Sequence, residues 1–471
     1  MANPAINLQD LFVGELLKDF IDIIPFQMMR LLEGQKGAYK DGVAFTSKEV
    51  SDFSSAWAAT LIKINPLYAF NPFIGGLLKE DGKKEDLVQY FERKAEQFSS
   101  YLALKNGELD AMILKEFGFQ FDDGVWVKLA ETPRVEMWMV RDYSDWKDRV
   151  PLIMIPPMIL SPGVLAWEKG RSFVHYLSEH GIPTGVIVNK DILKNVAVQD
   201  MTMEEHIRDV RDMCAMAGRF FNGTQVILGG YCQGGECSLR ALATGQLKGV
   251  ASYGLLGVAP IDPTDVGTLY ENYHNLPKRI TLEDATIELP NGRKVINGDV
   301  MRAVIEYGNP EANNAWSQML RELAMMEKGK PSKGALKMWY WLNRTVHLPY
   351  AIIALTNMTY KHPISDGVYG YELFGQRPDI KKIGEYGIKS LFVGTAEKDT
   401  LVKPEASKFL VTLLRPFTDV NLCEYDKGHL GMVRDCVRPD SDEPLDGTTL
   451  KGQPGPVMWY KEKVRRFPLD A

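Results

Sequence analysis

Apolar positions change their rhythm along this chain, and each change marks a different kind of element. Over residues 1 to about 130 they recur at helical spacing, as in Leu11-Phe12-Val13-Gly14-Glu15-Leu16-Leu17-Lys18-Asp19-Phe20-Ile21, which Ile24-Pro25 ends. A charged helical pattern follows from Glu85 to about Gly107. Strict alternation then begins at Val135-Glu136-Met137-Trp138-Met139-Val140 and predicts a half-buried strand. Pro151-Leu152-Ile153-Met154-Ile155 is instead apolar throughout, the pattern of a parallel strand covered on both faces. A helix is predicted over Val164 to Glu179, a strand at Thr184-Gly185-Val186-Ile187-Val188 and a helix over Met203 to Phe220. Further strands are predicted within Thr224 to Tyr231, Gly249 to Val258, Ile388 to Gly394 and Val420 to Tyr425.

Strand and helix alternating at this spacing imply α/β architecture, a mostly parallel sheet with right-handed crossovers. The rhythm fails between about Pro260 and Glu385, an interval too long for a loop in a compact domain. We read it as an inserted cap. The expected organisation is therefore a helical N-terminal region over 1–128 and a catalytic domain over 129–471, with the cap at about 260–385.

The most informative stretch is Val226-Ile227-Leu228-Gly229-Gly230-Tyr231-Cys232-Gln233-Gly234-Gly235, followed by the helix pattern Glu236 to Ala243. A cysteine ending a buried strand is usually a small buried hydrophobe. One placed between glycines at a strand-to-helix junction has the form of an α/β-hydrolase nucleophile elbow, with sulfur in place of the usual hydroxyl. Gly230 and Gly234 are expected where a Cβ would collide with a neighbouring strand or helix. The following helix would aim its positive end and the Gln233 N–H at the sulfur, favouring thiolate and oxyanion. A second oxyanion donor is expected just after the first central strand, from the backbone of Met158 or Ile159.

A thiol nucleophile needs a base, and the base needs an orienting carboxylate. In this fold they follow the nucleophile in the order acid, then histidine, at the ends of late strands. Asp399 follows the strand ending at Gly394, and His429 follows the strand ending at Tyr425. Of the seven histidines, His429 alone both follows a late strand and sits among glycines, in Gly428-His429-Leu430-Gly431. Glu397 and Asp426 compete with Asp399, which is favoured because Leu401-Val402 can anchor its loop. Cys237 is read as a packing residue, turned away from Cys232 on the helix.

Composition narrows the setting. The formal net charge of −6 provides no basic excess to hold a polyanion, so nucleic-acid binding has no support. Five cysteines, odd in number, argue for a reducing compartment rather than a disulfide framework. No signal-peptide pattern opens the chain, and no apolar run reaches the roughly 18 residues of a membrane span. A soluble, cytoplasmic protein is expected.

With these residues placed, the chain resembles the polyhydroxyalkanoate synthases, acyltransferases of α/β-hydrolase type. Gly230-Tyr231-Cys232-Gln233-Gly234-Gly235 is similar to that family's Gly-Tyr-Cys-x-Gly-Gly box. Leu129-Ala130-Glu131-Thr132-Pro133 and Pro151-Leu152-Ile153-Met154-Ile155-Pro156-Pro157-Met158-Ile159 are similar to its Ala-Thr-Pro and Pro-Leu-Leu-Ile-Val-Pro-Pro-x-Ile segments. Gly428-His429-Leu430-Gly431-Met432-Val433 resembles its histidine loop, and Trp341 to Pro349 a Trp-Asn-x-Asp-x-Thr-Asn-x-Pro segment. The likeness spans residues 129 to 435.

The resemblance implies acylation of Cys232 by a 3-hydroxyacyl-CoA, with His429 activating thiol and incoming hydroxyl and Asp399 supporting His429. It implies a polyester product, a place at the surface of polyester granules, a homodimer or a second synthase subunit as partner, and neither metal nor nucleotide cofactor. Gln233 stands where synthases usually carry an aliphatic residue, and Val188-Asn189-Lys190-Asp191 replaces their Ser-Trp-Arg-Asn-Pro. Both differences fit a cysteine hydrolase on the same scaffold, an acyl-CoA thioesterase or an intracellular polyester depolymerase. A non-catalytic granule-surface protein is the third reading.

Overall fold

The computed structural model describes residues 124–159, 162–167, 172–261, 285–298, 346–361, 364–399, 401–434 and 453–470, with 282, 283 and 341 besides. The N-terminal region predicted to be helical, the helical patterns within 301–326, Trp339-Tyr340 and Cys436 lie outside these residues. Of the two compact units into which the chain divides, everything below concerns the one formed by Leu114–His274, Ala285–Met301 and Arg344–Ala471.

Its centre is an eight-stranded sheet. In chain order the strands are β1 (Val127–Glu131), β2 (Val135–Met139), β3 (Leu152–Ile155), β4 (Thr184–Asn189), β5 (Val226–Tyr231) and β6 (Ala251–Gly257). A small separate sheet holds β7 (Thr286–Glu288), β8 (Lys294–Ile296) and β9 (Leu348–Pro349), and the main sheet resumes with β10 (Ser390–Ala396) and β11 (Asp419–Tyr425). The order across the main sheet is β1-β2-β4-β3-β5-β6-β10-β11. Only β2 runs antiparallel to its neighbours; every pairing from β4 to β11 is parallel. This order, reversing direction between β3 and β5, is that of the α/β-hydrolase fold, and residues at the carboxyl ends of the central strands converge on the reversal.

Side-chain pattern explains which strand lies where. In β2 the alternation is literal: Val135, Met137 and Met139 are buried while Glu136 and Trp138 are half-exposed. β3, β5, β6 and β10 are buried at every position because helices cover both faces. The helix Met203–Phe220 begins with a capping box, Thr202 receiving the Glu205 N–H while the Glu205 side chain takes that of Thr202. Arg134 clamps this helix to the sheet, donating to both carboxylate oxygens of Asp209 at 2.6 and 3.1 Å.

The differences from expectation lie at the sheet edge and in two connections. β1 begins at Val127, inside the stretch read as helical to about 130; it is an edge strand of mixed polarity, largely exposed, with no period to betray it. Of the predicted helix over 164–179, Phe173–Glu179 is helical and a single tight turn stands at Pro162–Val164, while residues 168–171 lie outside the described ones. Within the predicted cap, the hairpin of β7 and β8 pairs with β9, and Arg293 and Asn291 bond to Asp200 and Gln199.

Candidate active site

Three loops meet at the carboxyl end of the sheet, and each supplies one side chain. The first is the turn between β5 and the helix Gln233–Ala243. Cys232 occupies it with φ 53° and ψ −124°, a strained geometry for a residue bearing a Cβ. Two glycines permit it. A Cβ on Gly230 would stand 2.1 Å from the Gly234 carbonyl oxygen, and one on Gly234 would stand 2.0 Å from that of Ile155. The turn is pinned by the Cys232 N–H, which donates to Gly257 O at 2.8 Å. Ser238 Oγ bridges the Gly229 and Gly234 carbonyls at 2.8 and 2.9 Å. The over-determined bend leaves Cys232 9 % exposed, whereas Cys214, Cys237 and Cys423 are more deeply enclosed.

Asp399 arrives on the loop after β10. One carboxylate oxygen accepts the N–H groups of Leu401 and Val402, at 2.9 and 3.0 Å, so the loop anchors the acid through backbone rather than through a second charge. The other oxygen lies 2.7 Å from His429 Nδ1. The Asp399 side chain is fully enclosed, and that of His429 retains 16 % exposure. Cys232 lies close enough to His429 for its sulfur to favour the charged imidazole. With Nδ1 committed to the carboxylate, Nε2 is the nitrogen left for sulfur. Burial alone would lower the pKa of His429, but the adjacent Asp399 carboxylate and then Cys232 outweigh it and hold the imidazole well above its ordinary value.

The rival carboxylates are engaged elsewhere. Glu397 pairs with Lys408 at 2.9 Å and Asp426 with Lys398 at 2.7 Å. The second of these pairs, together with the Lys398 N–H donating to Lys427 O at 2.9 Å, ties the acid loop to the histidine loop. Cys237 is buried on the elbow helix, where burial pushes its thiol up to about 12.

Two contacts were not anticipated from sequence. The Tyr231 hydroxyl donates to the His429 carbonyl, and the two rings lie 5.7 Å apart, so the residue before Cys232 steadies His429. The Gln233 side-chain oxygen accepts the Met158 N–H at 3.0 Å. Met158 and Ile159 both lie buried on the connection that follows β3. The only forewarning of these contacts was that Tyr231 and Gln233 flank Cys232; nothing in their side chains names a partner 198 or 75 residues away.

Sheet order and elbow together define a protein of the α/β-hydrolase fold. No known family profile matches the chain, and no curated protein is similar to it in sequence. Among solved structures, a carboxylesterase of the thaumarchaeon Nitrososphaera gargenis is 13 % identical over 65 % of this chain and 92 % of its own, with a TM-score of 0.31. The enol-lactonase of Burkholderia xenovorans LB400 is 11 % identical over 65 % of this chain and 93 % of its own, at 0.34. An alpha/beta fold family hydrolase of Bacillus anthracis gives 11 % identity, 66 % and 95 % coverage, and 0.34. Superpositions this loose say nothing of chemistry. Among the described residues no helix is long and apolar enough to cross a membrane.

Proposed function

We propose that this protein is a cysteine-dependent acyltransferase that polymerises 3-hydroxyacyl-CoA, as its resemblance to polyhydroxyalkanoate synthases implies. The observation that supports it most is His429 held by Asp399 at 2.7 Å close to Cys232, which stands at a strained elbow. In the first half-reaction Cys232 Sγ bonds to the acyl carbon, the bond from that carbon to the CoA sulfur breaks, and His429 returns a proton to CoA. In the second, His429 takes the proton of an incoming 3-hydroxyl as its oxygen bonds the acyl carbon and Cys232 Sγ leaves. Both acyl carriers are thioesters of similar energy, so loading Cys232 is nearly balanced. Asp399 keeps Nδ1 protonated and the ring oriented throughout.

Gln233, in place of the aliphatic residue of the synthase box, favours a second reading, in which water takes the acyl group and the protein is a thiol hydrolase. One incubation separates them. Purified protein with 3-hydroxybutyryl-CoA should release CoA and deposit insoluble polyester, with a hydroxyacyl mass on the Cys232 peptide. Release of CoA with only free hydroxyacid establishes the hydrolase. CoA release undiminished in Cys232→Ala removes both.

A further inference from the structure

Resting on the reading of Cys232 as the nucleophile, we propose that the side chain of Gln233 gates the oxyanion site. Its amide oxygen occupies the Met158 N–H in the free enzyme and must yield that N–H to the substrate's acyl oxygen as negative charge develops.

Backbone geometry places this side chain for the task. The two residues after β3, Pro156 and Pro157, have no N–H to offer, so Met158 holds the first donor on the connection beyond that strand. This connection is packed against the elbow itself: a Cβ on Gly234 would meet Ile155 O at 2.0 Å and Pro156 C at 2.8 Å. The Gln233 N–H opens the elbow helix, where the first turn's donors have no intrahelical acceptor. Two N–H groups therefore meet at the elbow, one on the helix that follows Cys232 and one on the connection packed against it. The first belongs to Gln233, and the second is held, 3.0 Å away, by the side chain of the same residue. Both residues are nearly enclosed, Met158 at 7 % and Gln233 at 5 % exposure.

The consequence lies in the difference between ground and transition states. A thioester carbonyl accepts a hydrogen bond no better than an amide oxygen already tethered in place, so it has nothing to gain by displacing Gln233. The oxyanion formed by attack of Cys232 does, because hydrogen bonds to a charged acceptor are about twice as strong as neutral ones. The exchange is therefore made only for the transition state, at the cost of the Gln233–Met158 bond, so the gate gives up some rate in return for selectivity. Gln233 also denies the N–H to water until an acyl group arrives.

A brace and a gate predict opposite results. If Gln233 merely supported the Met158 loop, Gln233→Ala would slow acylation, and Gln233→Glu, which keeps an acceptor of the same shape, would be the milder change. A gate requires the reverse. Single-turnover acylation of the full chain by 3-hydroxybutyryl-CoA, read as mass gain on the Cys232 peptide, should be about fivefold faster in Gln233→Ala, the worth of one net hydrogen bond. It should be about 100-fold slower in Gln233→Glu, whose carboxylate holds Met158 and repels the oxyanion. An unchanged or slower Gln233→Ala overturns the gate. The parent protein supplies a second arm free of folding effects, a crystal structure of its Cys232 thiohemiacetal with butyraldehyde. The adduct oxygen should accept from Gln233 N and Met158 N with the Gln233 side chain displaced, and Gln233 still bonded to Met158 overturns the proposal. Absence of acyl group and adduct from Cys232 in every protein would instead remove the nucleophile, and the gate with it.

Discussion

His429 Nδ1 lies 2.7 Å from an oxygen of Asp399 whose partner oxygen is held by two backbone N–H groups. The carboxylate therefore dictates the histidine tautomer from a position that neither solvent nor a rival cation reaches. In Asp399→Asn the side-chain oxygen can still serve Leu401 and Val402, but the amide NH₂ then faces Nδ1 and forces the proton to the wrong nitrogen. Acylation of Cys232 should fall by roughly 10²- to 10⁴-fold with little change in melting temperature. A loss below tenfold would show that the tautomer is set by something else.

The same pair has a stability signature. Because folding raises the pKa of His429, its contribution is fully present below the ordinary imidazole value and is lost as pH rises through the folded value. Urea unfolding of the parent and of His429→Ala should accordingly show a stability gap that is constant below about pH 6.5 and narrows as pH rises above it. A gap that widens with pH would contradict the ion pair.

Glycine requirements at the site differ sharply by position. Gly230→Ala and Gly234→Ala each drive a methyl to within about 2 Å of backbone oxygen and should cost more than about 3 kcal/mol, or abolish folding. Gly428, beside the histidine, would place its Cβ no nearer than 3.7 Å to any atom, so Gly428→Ala should change stability by less than about 1 kcal/mol. Chemical denaturation of the three variants tests the contrast.

Iodoacetamide should modify Cys232 ahead of Cys214, Cys237 and Cys423. Those three are buried, and burial pushes the thiols of Cys214 and Cys237 far up, the latter to about 12. Peptide mapping after brief exposure should find the label on Cys232 first, and pretreatment with an acyl-CoA should protect it. Equal labelling of Cys237 would mean that the elbow helix opens.

His206 has a separate role in acid sensitivity. It is buried on the helix Met203–Phe220, neither ring nitrogen has a hydrogen-bond partner, and burial, reinforced by Arg240 and Arg134, lowers its pKa to about 4. Between pH ~6.5 and ~4 the unfolded chain takes up a proton that the folded chain refuses, so stability falls with pH across that window. His206→Leu should reduce this acid-side loss by roughly 3 kcal/mol. Identical acid-unfolding profiles for parent and variant would refute the assignment.

How much of this was legible beforehand follows from the range of the signals. β2 announced itself because one face is covered and the other is not, and β3 and β5 because both faces are. β1 did not, since an edge strand with exposed Val127 and Lys128 obeys no period. The three-residue strands β7 and β8 are too short to show one. Cys232, Asp399 and His429 were legible because each directly follows a strand, and chain order supplies their sequence. The choice of Asp399 over Glu397 and Asp426 rested on Leu401 and Val402, and their N–H groups are what hold the carboxylate.

From its residues alone the chain determined a parallel sheet, a glycine-framed cysteine at its centre and the late loops that carry Asp399 and His429. These are local properties: burial pattern along a strand, tolerance of a bend and position after a strand end. Tertiary structure decided what touches what. That Tyr231 reaches the His429 carbonyl and that Gln233 closes on the Met158 N–H depend on strands brought side by side from distant parts of the chain. A hydrogen bond between such segments is a property of their packing, and no single segment records it.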